Sequence, residues 1–224
     1  MTFADLFERA AALGDDLDEA AVRRALGEVR SAGSGEDADD GASDDGASGD
    51  GDGVAAPRDP SSARVVADAD ALAADLLLGG DAREALDALR SHAWTTLVAS
   101  DRLLDDAEAV IASLSDPELA ADWRAAVEAW REPVAQPPGD HPALASAYRG
   151  GAMQVLSLDP SLTGPHAGTG LRDRLPVSVR EPRAFATVFD PAKLYPDAVG
   201  GAYPGPDRDP RTMSPARAGG DQHR

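Results

Sequence analysis

Apolar residues recur at helical spacing from the start of the chain. Phe3, Leu6, Phe7, Ala10 and Leu13 follow a Thr2 suited to capping, and Gly14 ends the run. A second helix is expected from about Leu17 to Val29, with Ala21, Val22, Leu26 and Val29 on one side. This helical pair, residues 1–30, is too short to bury much alone, so it should dock on the main domain, a second copy or a partner protein. From Ser31 to Ala63 the pattern stops: there is no Leu, Ile or aromatic residue, and nine acids face one arginine. Such a segment cannot offset its ordering entropy by burial, so residues 31–63 are expected to be a disordered acidic linker.

Between residues 64 and 190, short apolar runs alternate with helical patterns. "RVVADA" reads as a buried strand, followed by the helix "DALAADLLLGG" and a second helix, "DAREALDALRSH", with Leu86 and Leu89 inward. "WTTLVAS" is β-rich, and Ser100 is placed to cap "DRLLDDAEAVIASL". Asp116-Pro117 starts "PELAADWRAAVEAW", with proline at a tolerated first-turn position. A helix from about Asp140, the strand "AMQVLSL", the strand "LPVSVR" and a closing helix "EPRAFATVF" complete the series. The alternation predicts an α/β domain over 64–190, a parallel sheet flanked by helices on both faces in three layers. The Pro- and Gly-rich end, 191–224, is expected to be a flexible tail.

Charge narrows the function classes. The chain carries 40 acidic against 21 basic residues, a formal net charge of −19, and Lys193 is its single lysine. This Asp-rich, nearly lysine-free make-up resembles that of halophilic proteins, whose surface carboxylates hold water and ions while salt screens their repulsion. With no cysteine, disulfides, zinc–thiolate sites and thiol catalysis are excluded. No apolar run approaches the length of about 18 residues that spans a bilayer. No basic region followed by an apolar core opens the chain, so a cytoplasmic location is expected.

The candidate chemistry lies in the aspartates. Ligands of open parallel sheets sit beyond the carboxyl ends of the strands. Asp68 ends the first strand and Asp159 a later one, while Asp140 opens the helix that feeds that later strand. Asp106 lies about two turns into its helix, its side chain leaning toward the helix start. Four carboxylates can therefore converge on one sheet edge. The competing reading is local: Asp140 and Asp159 each precede a helix and suit N-caps, Asp70 could cap the helix after the first strand, and Asp105, Asp106 and Glu108 could face solvent. His141 reads as a surface residue at a helix start, and His92, His166 and His223 show no metal-ligand spacing. Trp94, Trp123 and Trp130 suit packing.

The pieces "VVADADAL", "LVASDRLLDDAEAVI", "DHPALASAYRGGA", "MQVLSLD" and "VSVREPRAF", in this order, resemble the PIN domain, a family of metal-dependent nucleases. The resemblance covers about residues 64–190. It implies metal-binding and catalytic roles for Asp68, Asp106, Asp140 and Asp159, with Asp70 and Ser157 at accessory polar positions. Asp106 stands where the family usually has glutamate, and Leu158 where a small residue is frequent. The implied cofactor is Mg²⁺ or Mn²⁺, which favour oxygen ligands. The implied activity is phosphodiester cleavage, of RNA rather than DNA, with arginines such as Arg102, Arg149, Arg172, Arg174, Arg180 and Arg183 meeting phosphates. The alternative is a non-catalytic PIN-like module that binds a protein partner through residues 1–30.

Overall fold

The computed structural model describes residues 1–13, 17–36, 56–136, 140–164 and 177–216. Helices α1 (Phe3–Ala11) and α2 (Glu19–Glu36) lead into β1 (Ser61–Ala67). Then come α3 (Ala69–Leu77), α4 (Gly80–Arg90), β2 (Thr96–Ala99), α5 (Asp101–Leu114), α6 (Pro117–Glu128) and β3 (Glu132–Pro133). After these follow α7 (Pro142–Gly150), β4 (Ala152–Leu156), α8 (Pro160–Thr163), β5 (Ser178–Arg180), α9 (Pro182–Val188) and α10 (Pro191–Ala198). Among the described residues no helix is long and apolar enough to cross a membrane.

The five strands form one parallel sheet in the order β3-β2-β1-β4-β5. Val65 stands opposite Leu97, Val66 opposite Val155, and Val155 opposite Val179. Val65, Val66, Leu97 and Val155 are buried, as expected for strands covered on both faces, and Val179 on the edge strand is half-buried. From β1 the chain steps through β2 to β3 in one direction; from β3 it crosses back to β4 and continues to β5. Right-handed crossovers then put the helices of the two halves on opposite faces. The strand order reverses between β1 and β4, so their carboxyl ends mark the place where such sheets bind ligands. Close packing fixes α7 against the sheet: a Cβ on Gly150 would lie 2.3 Å from Val98 Cγ1.

The N-terminal helices do not form a separate unit. Phe3, Leu6, Phe7, Ala10, Val22, Ala25 and Leu26 belong to the same buried cluster as the strands. Thr2 and Asp5 form a capping box, with Thr2 N–H donating to Asp5 at 2.8 Å. Arg90, itself buried, lies 4.3 Å over the Phe3 ring and pairs with the buried Asp75, so α1 covers an internal charge. Of the three docking partners expected for residues 1–30, the chain's own domain takes the apolar stripe.

Two boundaries are corrected. The linker expected over 31–63 is helical to Glu36 and extended from Ser61, and residues 37–55 lie outside the described residues. The segment from Pro191 to Ala216, expected to be flexible, is folded against the domain. Asp207 and Arg208 donate backbone N–H groups to Ser91, Ala4 N–H donates to Arg211, and Tyr195 packs edge-on to Trp94 with centroids 5.5 Å apart. Residues 217–224 are outside the described residues. The two-residue edge strand β3 carries a proline and too little alternation to be visible in sequence.

Candidate active site at the strand ends

Asp68 sits where β1 stops. Its N–H donates to Leu156 of β4 at 2.8 Å, and its Oδ1 accepts from Ala69 N–H at 2.8 Å, capping α3. Asp70, one turn position further, is equally buried: Oδ1 accepts from Ala71 N–H at 2.6 Å and Oδ2 from Leu158 N–H at 3.0 Å. Ser157 Oγ stands 3.3 Å from both Asp68 Oδ2 and Asp70 Oδ2, and accepts from Asp159 N–H at 3.0 Å. The ends of β1 and β4 are thus tied together through carboxylates. Burial, with the Asp68 charge beside it, pushes the Asp70 carboxyl up to about 8, against the two backbone donors.

Asp106 comes to the same place from α5 and is buried. Of the two registers available in "DD", Asp106 faces in, and Asp105 is exposed and pairs with Arg124 at 2.6 Å. Asp106 Oδ1 takes Arg102 Nε at 3.1 Å, an i,i+4 pair on one helix. Its Oδ2 takes Arg30 Nε at 3.0 Å. Arg30, from the last turns of α2, also donates from Nη2 to Asp68 Oδ1 at 2.7 Å. One guanidinium fork therefore joins Asp68 and Asp106. Burial disfavours its charge, but Asp68 and Asp106 outweigh burial and hold its proton more tightly than usual.

His141 completes the set. Its Nε2 lies 3.2 Å from Arg30 Nη1 and 3.9 Å from Asp68 Oδ2. A guanidinium only donates, so Nε2 accepts and the neutral ring carries its proton on Nδ1. Burial lowers the imidazole pKa, with the Arg30 charge assisting and Asp68 opposing, in keeping with a neutral ring. The buried Nδ1 has no hydrogen-bond partner among the described residues.

Asp159 caps α8, accepting from Ser161 N–H at 2.7 Å, and is half-buried. It also lines an open groove of about 450 Å³, with Asp70 and Pro160 opposite Arg23, Arg24, Gly27 and Arg30 of α2. Asp159 takes the cap expected of it, and Asp68, rather than Asp70, is the residue before α3. Asp140 is different. Pro142 takes the first helical position, so His141 is the residue before α7, and Asp140 is exposed one position outside. Among the described residues the Asp140 side chain makes no hydrogen bond or ion pair, and its neighbour His141 stands in the cluster instead. The structure thus links Asp68 to Asp70 through Ser157 and to Asp106 through Arg30, sets Asp159 at the groove, and leaves Asp140 exposed just outside α7. Arg102 is engaged with Asp106, and Arg172 and Arg174 lie outside the described residues.

The donor set is carboxylate and hydroxyl oxygen without a thiolate, the chemistry that Mg²⁺ or Mn²⁺ prefers. As arranged, the central position between Asp68 and Asp106 holds the Arg30 guanidinium. Among the described residues no three Asp, Glu or His side chains gather as a metal-holding group.

Fold and site together define a class: a three-layer α/β domain with a parallel sheet and buried acids where its strand order reverses. Residues 59–211 match the family of unknown function DUF7384, and the chain belongs to that family. Neither a curated protein nor a solved structure matches it.

Proposed function

We propose that the domain is a PIN-like nuclease that cleaves phosphodiesters with Mg²⁺ or Mn²⁺, RNA rather than DNA. One observation carries this reading: Asp68, Asp70 and Asp106 are all buried, with Asp68 joined to Asp70 through Ser157 and to Asp106 through Arg30 beyond the end of β1. Capping alone gives no reason to bury three carboxylates together, because their mutual repulsion and desolvation oppose folding. In this reading Asp68 and Asp106 hold the cation, and Asp159 and Asp70 stand beside it. A divalent ion supplies Lewis acidity, lowering the pKa of a water and offsetting charge on the phosphate. Ser157 orients the carboxylates of Asp68 and Asp70, and the neutral His141 borders the same space. Arg23 and Arg24, on the groove wall, supply phosphate contacts on a chain of net charge −19, so binding is local and substrate choice narrow.

A non-catalytic PIN-like module is the second reading, favoured by the Arg30 charge that already neutralises the acids. Incubating 5′-labelled single-stranded RNA with Mn²⁺ in molar salt separates the two, using wild type, Arg30→Ala and Asp68→Asn. The nuclease reading expects products that Asp68→Asn abolishes. It is overturned if neither wild type nor Arg30→Ala cuts RNA or single-stranded DNA.

A further inference from the structure

The guanidinium of Arg30 contacts the oxygens a cation would need: Asp68 Oδ1 at 2.7 Å and Asp106 Oδ2 at 3.0 Å. We propose that Arg30 is a built-in competitor, which must leave these acids before a divalent ion can bind, so that α2 gates the site. The inference rests on reading these acids as a divalent-cation site.

Three observations support it. First, a permanent positive charge lies between two buried carboxylates, which offsets their repulsion without any ion. Second, release of Arg30 does not require the helix to detach: Val22, Ala25 and Leu26 anchor α2 in the core, two to one turns before Arg30. Third, the groove beside Arg30 is open, and its other wall carries Asp159. The side chain therefore has both room to swing aside and a second carboxylate to meet there. The helix also approaches Arg102 closely, since a Cβ on Gly33 would lie 2.7 Å from Arg102 Nη2. Both arginines on Asp106 consequently depend on where the end of α2 sits.

The test is Mn²⁺ binding by calorimetry, on the full chain in molar KCl, for wild type and Arg30→Ala. A site competent for only a fraction of the time loses affinity by that fraction, so a competitor bound nine-tenths of the time or more predicts tightening by about tenfold or more. Equal affinity for the two proteins overturns the proposal. Should Arg30→Ala unfold in metal-free buffer, the proposal requires millimolar Mn²⁺ to restore its circular dichroism, the ion replacing the missing charge. A chain that stays unfolded with Mn²⁺ overturns it too. Tight Mn²⁺ binding by the variant without RNA cleavage leaves the competitor in place and sinks the nuclease. Cleavage by wild type at the variant's rate, with equal Mn²⁺ affinity, does the reverse.

Discussion

Replacing Arg90 by methionine is expected to cost more stability than any exposed substitution. The residue is 1 % exposed, ends α4, pairs with Asp75 of α3 and bonds Asp87 at 2.7 Å. Its guanidinium carbon lies 4.3 Å from the Phe3 ring centroid and 5.1 Å from that of Trp130, so one charge links α3 and α4 to the N-terminal helix. Without it, the cation left beside Asp75 among the described residues is Arg83, whose Nε is 4.0 Å from Oδ1. Burial already drives the Asp75 carboxyl above its ordinary range, with Arg90 opposing. Breaking a buried pair from one side costs about 3–5 kcal/mol. At about 2–4 °C per kcal/mol for a chain of this size, Tm should fall by roughly 6–20 °C. Urea unfolding in about 1 M and about 3 M KCl measures the loss. Screening at the lower salt already acts within about 3 Å in solvent, so a surface pair fades while this one keeps its effect. The double variant Asp75→Leu/Arg90→Met should recover most of the stability, because no lone buried charge remains. A loss under about 1 kcal/mol, or a double variant as unstable as the two singles added, would refute the reasoning.

Further outcomes are expected at the site and beside it. Gly151→Ala, at φ +66° with a Cβ that would lie 2.3 Å from Asp59 O, should lose about 2 kcal/mol or more in urea unfolding, and an unchanged midpoint would count against the close approach. Asp70, held near 8 against 3.8 for a free carboxyl, binds its proton more tightly when folded. Its contribution to stability is therefore full below about pH 4 and lost as pH rises through about 8, so the Tm advantage of Asp70→Asn over wild type should grow from pH 5 to pH 8. A pH-independent difference would refute this. In an Arg30→Ala background, Asp68→Asn and Asp106→Asn should each weaken Mn²⁺ binding by about tenfold or more, while Asp140→Asn changes little. Equal losses from all three substitutions would restore Asp140 to the site.

Much of this was legible in local pattern. Thr2, Ser100 and Asp116 announce their helices because a cap and the amide it satisfies lie within three residues. Arg102 and Asp106 stand at pairing distance on one helix, yet the resemblance set them apart, one for phosphate and one for metal. The choice between Asp140 and His141 is a one-residue matter of where Pro142 starts a helix, below the resolution of a periodicity argument. The folded tail was missed because its contacts run through Trp94, Ser91 and Ala4, far away in the chain, rather than through a pattern of its own.

The amino-acid order by itself determined the alternating elements, the covered parallel sheet, and the acids at the ends of β1 and β4. Side-chain period and strand ends are properties of neighbouring residues. Only the tertiary structure decided that Arg30 neutralises Asp68, 38 positions away, and Asp106, 76 positions away. Charges in separate elements pair by distance through space, and that distance exists only once α2 has packed its apolar face against the domain.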